Sequence, residues 1–131
     1  MSNNALFTAG RILMSAVFLV GGMRKLLSYV ATLETFRSLG IPVPDIVLPA
    51  TIVLELGGAA ALIVGWRTMW VAGVLGLFCI ATAMLAHRFW AVDPAQFGNQ
   101  LSHFLKNVAM AGGFLVVASS SVRMQSNDRV E

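Results

Sequence analysis

The sequence predicts an all-α fold, a four-helix transmembrane bundle with a short interfacial helix between helices one and two. Three observations point to it. Of 131 residues, 57% are hydrophobic and 11% charged, where a soluble domain carries roughly 45–50% apolar and about 25% charged residues. A single small domain in water exposes too much of its chain to do without polar side chains, so the solvent here is lipid. Four apolar segments each approach the roughly 20 residues that cross about 30 Å of hydrocarbon. No alternation of apolar and polar residues suggests a barrel, and a backbone in lipid must satisfy its own hydrogen bonds, which leaves helices.

The first segment runs from about Leu6 to Leu27. It follows Met-Ser-Asn-Asn, with no positive n-region, and closes on Gly21-Gly22-Met23-Arg24-Lys25 with no small-x-small cleavage site. It is therefore expected to stay in the mature protein rather than leave as a signal peptide. Between Ser28 and Asp45, Tyr29, Val30, Leu33, Phe36 and Leu39 recur at helical spacing opposite Thr32, Glu34, Thr35 and Arg37. That pattern fits a helix lying in the interface plane, with Gly40 as its stop and Pro42 and Pro44 preventing its continuation. The second segment is Ile46 to Val64, and Gly65-Trp66-Arg67-Thr68 turns tightly into the third, Met69 to Ala86. So short a turn makes the two helices antiparallel neighbours. The connection from His87 to about His103 opens on Phe89-Trp90, an aromatic pair at headgroup depth. The fourth segment is Phe104 to Val122, and the tail from about Gln125 is expected to be disordered. The whole chain, 1–131, reads as one integral membrane domain, and four crossings put both termini on the same side. Loop arginines divide evenly, Arg67, Arg123 and Arg129 against Arg24, Arg37 and Arg88, so the positive-inside rule does not orient it.

Several functions are excluded. The net charge of +3 is spread along the chain, which does not make a nucleic-acid surface. Cys79 is alone, so there is no internal disulfide and no Cys-x-x-Cys pair for thiol exchange. No phosphate loop, nucleophile elbow or dinucleotide fingerprint is present, and the chain is not expected to be catalytic by itself. The seven methionines read as apolar packing, and Trp66, Trp70 and Trp90 as an aromatic belt.

The informative residues are charges inside apolar runs. Glu55 stands near the centre of the second segment, where an acid costs on the order of 3 kcal/mol and needs a partner or a proton. Arg11 enters the first segment by about 8 Å and Lys106 begins the fourth, both depths within reach of Glu55. Arg11, Ser15, Phe18, Gly22 and Lys25 make one helical stripe. Thr51, Glu55, Gly58, Leu62 and Gly65 make a second, and His103, Lys106, Met110, Gly113, Val117 and Ser120 a third. Each joins polar groups to a glycine that permits close helix approach. The third segment offers only Ala72, Gly76, Cys79, Ala83 and Ala86, which reads as packing or a cavity wall. The expected polar cluster is Arg11, Lys25, Glu55, Lys106 and Asn107. Its structural reading is a buried pair of Glu55 with Arg11 or Lys106 that sets helix register, and Arg11 can also snorkel to the headgroups. Ser15, His87 and His103 are weaker candidates. Two histidines can ligate haem or a metal, but no Cys, Asp or Glu completes a ligand set, so no metal is expected and the pair reads as interfacial hydrogen bonding.

The run Gly10-Arg11-Ile12-Leu13 through Gly21-Gly22-Met23-Arg24-Lys25-Leu26, then Gly40-Ile41-Pro42, Glu55-Leu56-Gly57-Gly58 with Gly65, His87-Arg88-Phe89-Trp90, and Phe104-Leu105-Lys106-Asn107 with Gly112-Gly113, resembles the DoxX family of small four-helix membrane proteins. The resemblance covers nearly the whole chain. It implies a multi-pass protein of the bacterial cytoplasmic membrane, with the family's helix-one Arg and Lys at Arg11 and Lys25, its helix-two Glu at Glu55, and its helix-four Lys-Asn at Lys106 and Asn107. It also implies an association with quinone-linked oxidation or with membrane complexes that gather redox partners. The expectation is thus an accessory subunit of a membrane oxidoreductase assembly that binds quinone or lipid. Its pocket would lie on the Lys25 and Lys106 side, with soluble redox enzymes or a second copy of the chain as candidate partners. The alternatives are a small proton-coupled transporter using Glu55 and a structural membrane scaffold.

Overall fold

The computed structural model describes residues 3–127, with side chains over residues 5–123. Among the described residues every regular element is helical: α1 (Asn3–Leu27), α2 (Tyr29–Ser38), α3 (Pro44–Val64), α4 (Thr68–Ala86), a single 3-10 turn at Phe89–Ala91, and α5 (Pro94–Asn127). Four stretches are long and apolar enough to cross a membrane: Ala5–Leu27, Pro44–Val64, Thr68–Ala91 and Pro94–Arg123. The chain divides into two compact units, residues 1–71 and 72–131.

In the first unit α1 packs on α3. The face that α1 turns inward is the expected stripe, with Ser15, Phe18 and Gly22 buried and Arg11 and Lys25 half-buried. On α3 the buried set is Leu48, Thr51, Ile52, Glu55, Ala59 and Leu62. Gly22 is what lets the helices meet there. A Cβ on it would lie 2.8 Å from Leu56 Cγ and 3.1 Å from Glu55 Cβ, closer than packed carbons tolerate. The opposite faces leave Leu13, Val20, Val53 and Val64 exposed, as helices in hydrocarbon do.

α2 is a separate ten-residue helix with no buried residue. It ends as its sequence dictates: Gly40 takes φ 70°, its N–H donates to the Arg37 carbonyl at 3.0 Å, and the Ile41 N–H reaches the Phe36 carbonyl at 3.1 Å. Those two bonds satisfy carbonyls that a helix C-terminus leaves open, and glycine accepts the left-handed conformation they require. Arg37 then ties α2 to the start of α3, donating to Glu34 at 2.6 Å and to Asp45 at 3.0 Å. α3 closes on Gly65 at φ 82°, and α4 follows after two residues.

In the second unit α4 buries Ala72, Leu75, Cys79 and Ala83. Gly76 faces Phe114, whose Cβ would be 3.3 Å from a Cβ placed on the glycine. α5 corrects two expectations. It begins at Pro94, not near Phe104. Proline is preorganised for the first turn of a helix and has no N–H to lose there, and the Asp93 carbonyl accepts the N–H groups of Gln96 and Phe97 at 2.9 and 3.1 Å. The polar stretch between His87 and His103 is thus a seven-residue link followed by exposed helix. Second, the inward face of α5 carries Ala111, Phe114, Val117 and Ser121: Val117 belongs to the expected stripe, and the other three lie one position on from Met110, Gly113 and Ser120. Phe114, seated against Gly76, sets the rotation, and it leaves Lys106 exposed. Gln125, Ser126 and Asn127, expected in a disordered tail, are the last residues of α5, and the remainder of that tail lies outside the described residues.

Candidate functional site

The first unit brings together Lys25 and Glu55. Lys25 sits one turn beyond Gly22 on α1, and Glu55 sits on the α3 face that Gly22 admits, so the close approach delivers one charge to the other. Lys25 Nζ donates to both Glu55 Oε1 and Oε2 at 2.9 Å. The acid is buried and the lysine less so, with side chains 7% and 26% exposed. Gly21 lies alongside, where a Cβ would sit in ordinary contact at 3.5 Å from Glu55 Oε2 and 3.7 Å from Lys25 Nζ. An ammonium has three N–H donors. Two are spent on Glu55, and the third takes no partner among the described residues.

Arg11 goes elsewhere. Its Nη1 lies 3.4 Å from Thr68 Oγ1 and its Nη2 lies 3.5 Å from the Ile63 carbonyl oxygen, both long donations. The guanidinium also stands 5.9 Å from the Phe7 ring centre and fills the space that a Cβ on Gly65 would need. A cation placed against the last carbonyls of a helix is favourable through the helix dipole, so Arg11 closes the C-terminus of α3. The sequence reading missed this because it compared depths without fixing register. α1 and α3 run antiparallel with Arg11 beside Gly65. That puts Glu55 about ten residues, or roughly 15 Å, farther along, beyond the reach of an arginine but level with Gly21 and Gly22, one turn from Lys25, whose side chain spans the difference. Ser15 is buried and donates to its own helix, to the Arg11 carbonyl at 2.8 Å, and does not join the pair.

The second unit holds the other candidates. The His87 and His103 rings stack, with centres 4.9 Å apart and planes 16° from parallel. His87 Nδ1 donates to Gln100 Oε1 at 3.0 Å, a partner the sequence reading overlooked because it placed Gln100 in a loop. Asn107 donates to the His103 carbonyl at 3.0 Å and is committed to its own helix. Phe89 packs edge-on against Trp90, Phe97 and Phe104, which fixes the 3-10 turn on α5. An open groove of about 480 Å³ runs along the pair of helices, lined by small residues such as Gly73, Gly76, Ala111 and Gly112 with Leu77 and Ile80. Of the small residues expected as a wall on α4, Ala72 and Gly76 line the groove, while Cys79 and Ala83 are buried, and neither Lys25 nor Lys106 lines it. Among the described residues no group of three or more His, Cys, Asp or Glu is placed to hold a metal.

Comparison with known proteins gives concordant results. The family model described as DoxX matches residues 6–88, a stretch that includes Arg11, Lys25 and Glu55. The chain is 28% identical to the inner membrane protein YphA of Escherichia coli (strain K12) over 124 residues, covering 95% of this chain and 89% of that protein. It is 34% identical to the inner membrane protein YqjF of the same organism over 120 residues, covering 92% of this chain and 87% of that protein. No solved structure matches the chain.

Proposed function

The chain belongs to the DoxX family and is a multi-pass membrane protein, and from that premise we propose that it is a non-catalytic accessory subunit that binds a quinone at Lys25. One observation carries this reading: Lys25 meets both oxygens of a buried Glu55 and keeps a third N–H, on a side chain that is partly accessible. Glu55 holds the ammonium aimed, and the remaining N–H is a donor for a carbonyl oxygen. Quinones supply such an oxygen and dissolve in the bilayer. Electron transfer would fall to a partner. The same pair argues against exchange of a cationic substrate at Glu55, since one cation already occupies both carboxylate oxygens.

The test is quinone content. Protein purified in native-membrane nanodiscs should carry quinone above its ratio to bulk phospholipid, and Lys25→Met should return that ratio to the bulk value while thermal unfolding confirms that the variant is folded. Wild-type protein carrying only the bulk ratio would sink the reading and favour a structural scaffold.

A further inference from the structure

Arg11 is a cation that the first unit does not neutralise. The acids before residue 72 are Glu34, Asp45 and Glu55, and each is committed elsewhere, Glu34 and Asp45 to Arg37 and Glu55 to Lys25. Counted along α3 from Gly65, where Arg11 sits, Glu55 is roughly 15 Å away and Asp45 roughly 30 Å. A guanidinium has five N–H donors. In Arg11 the Nε donor is buried without an acceptor. The donations to Thr68 Oγ1 at 3.4 Å and to the Ile63 carbonyl at 3.5 Å are longer than the roughly 2.7–3.2 Å of a well-made N–H···O bond. The two donors left on the Nη atoms have no acceptor among the described residues. The carbonyls that end α3 carry about half a negative charge between them, which lessens the imbalance without removing it.

A second cation adjoins the first. Arg67 stands next to Thr68, exposed, with its guanidinium 5.8 Å from the Trp66 ring centre, and no ion pair holds it among the described residues. Trp66 and Trp70, on either side of it in sequence, are exposed, and tryptophans of this kind settle at headgroup level. The missing charge is therefore sought at the depth where lipid phosphates lie. We propose that Arg11 and Arg67 form a site for the phosphate of an anionic phospholipid headgroup. Thr68 and the Ile63 carbonyl hold the guanidinium of Arg11 in the space that Gly65 leaves open. Its Nη2 contact is exposed, so a phosphate oxygen can reach that edge, and a planar guanidinium suits phosphate because it donates two parallel N–H bonds. The site stands roughly 15 Å along α3 from Glu55 and uses neither Lys25 nor Glu55.

The full chain in nanodiscs of equal phosphatidylcholine and phosphatidylglycerol tests this by native mass spectrometry of retained lipid. Phosphatidylglycerol should be preferred by about fivefold or more, the gain that one basic residue gives near an anionic surface. Arg67→Gln, at an exposed position, should lower the preference by up to about fivefold, and Arg11→Gln should lower it at least as far, with thermal unfolding confirming that each variant is folded. Arg24→Gln, at an exposed position near the other end of α1, should leave the preference unchanged. Inorganic phosphate assigns the source. If its phosphorus resonance broadens with the wild-type chain in phosphatidylcholine alone and not with Arg11→Gln, free phosphate is the ligand and the headgroup assignment falls; no broadening supports the headgroup. Asp128→Asn/Glu131→Gln removes the carboxylates nearest the end of the chain. A preference that emerges only in that variant identifies them as the counter-charge and overturns the proposal, as does a wild-type chain with no preference or an equal loss in Arg24→Gln.

Discussion

Glu55 uses both of its oxygens on one ammonium, so the pair is complete from the acid's side and unfinished from the lysine's. Removing the two partners should therefore have unequal effects. Lys25→Met strands a carboxylate in a buried position and should cost about 3–5 kcal/mol. Glu55→Gln leaves an ammonium on a long, partly exposed stem that can extend toward the headgroups, and should cost less, about 1–3 kcal/mol. Lys25→Met/Glu55→Gln should recover much of the larger loss. Unfolding free energies in mixed detergent check all three, and equal single-variant losses that simply add would show that the two charges do not depend on each other. Glu55 was legible in the sequence because an acid in an apolar run has few physical excuses. Its partner was not. Arg11 and Lys106 lay at compatible depths and Lys25 only shared the Arg11 stripe, and the choice among them depends on a helix register that composition and spacing leave open.

At the scale of elements, α1 and α3 meet through an absence. A methyl group at Gly22 would press on Leu56 and on the Cβ of Glu55. Gly22→Ala should push the helices apart at the level of the ion pair, at a cost of about 1–3 kcal/mol for overpacking. Gly57→Ala, where a Cβ meets nothing within 4 Å, should be neutral or slightly stabilising through helix propensity. Comparing their melting temperatures separates a contact effect from a general intolerance of alanine. The inward face of α1 was readable because its polar residues and glycine share one stripe, and on α3 the stripe was right at Thr51, Glu55 and Leu62 but omitted Leu48, Ile52 and Ala59. The face of α5 was right at Val117 and one position off at its other members because the stripe was drawn through Lys106, whereas Phe114 fits against Gly76 and decides the rotation. The start of α5 carried a signal in Asp93-Pro94, a helix opening that the polar residues after it obscured. Polarity there marks helix outside the apolar layer, not a loop.

Across the whole molecule, the acids Glu34 and Asp45 pair with Arg37 and Glu55 pairs with Lys25. Four crossings predict that both ends of the chain emerge on one side. In a Cys79→Ser background, Ser2→Cys and Ser126→Cys should respond alike to a membrane-impermeant maleimide added to intact cells, both labelled or both protected. Opposite responses would remove one of the crossings. The membrane character and the number of spans were fully legible, because 57% apolar composition has no other outlet in so short a chain. The reach of the last helix was not, and it has a mechanical meaning. α5 is continuous over 34 residues, roughly 51 Å at 1.5 Å per residue, against about 30 Å of hydrocarbon. The apolar run from Phe104 to Val122 fills that layer by itself at roughly 28 Å, so the polar turns from Pro94 to His103 stand clear of it as a rigid post that carries the last crossing beyond the lipid.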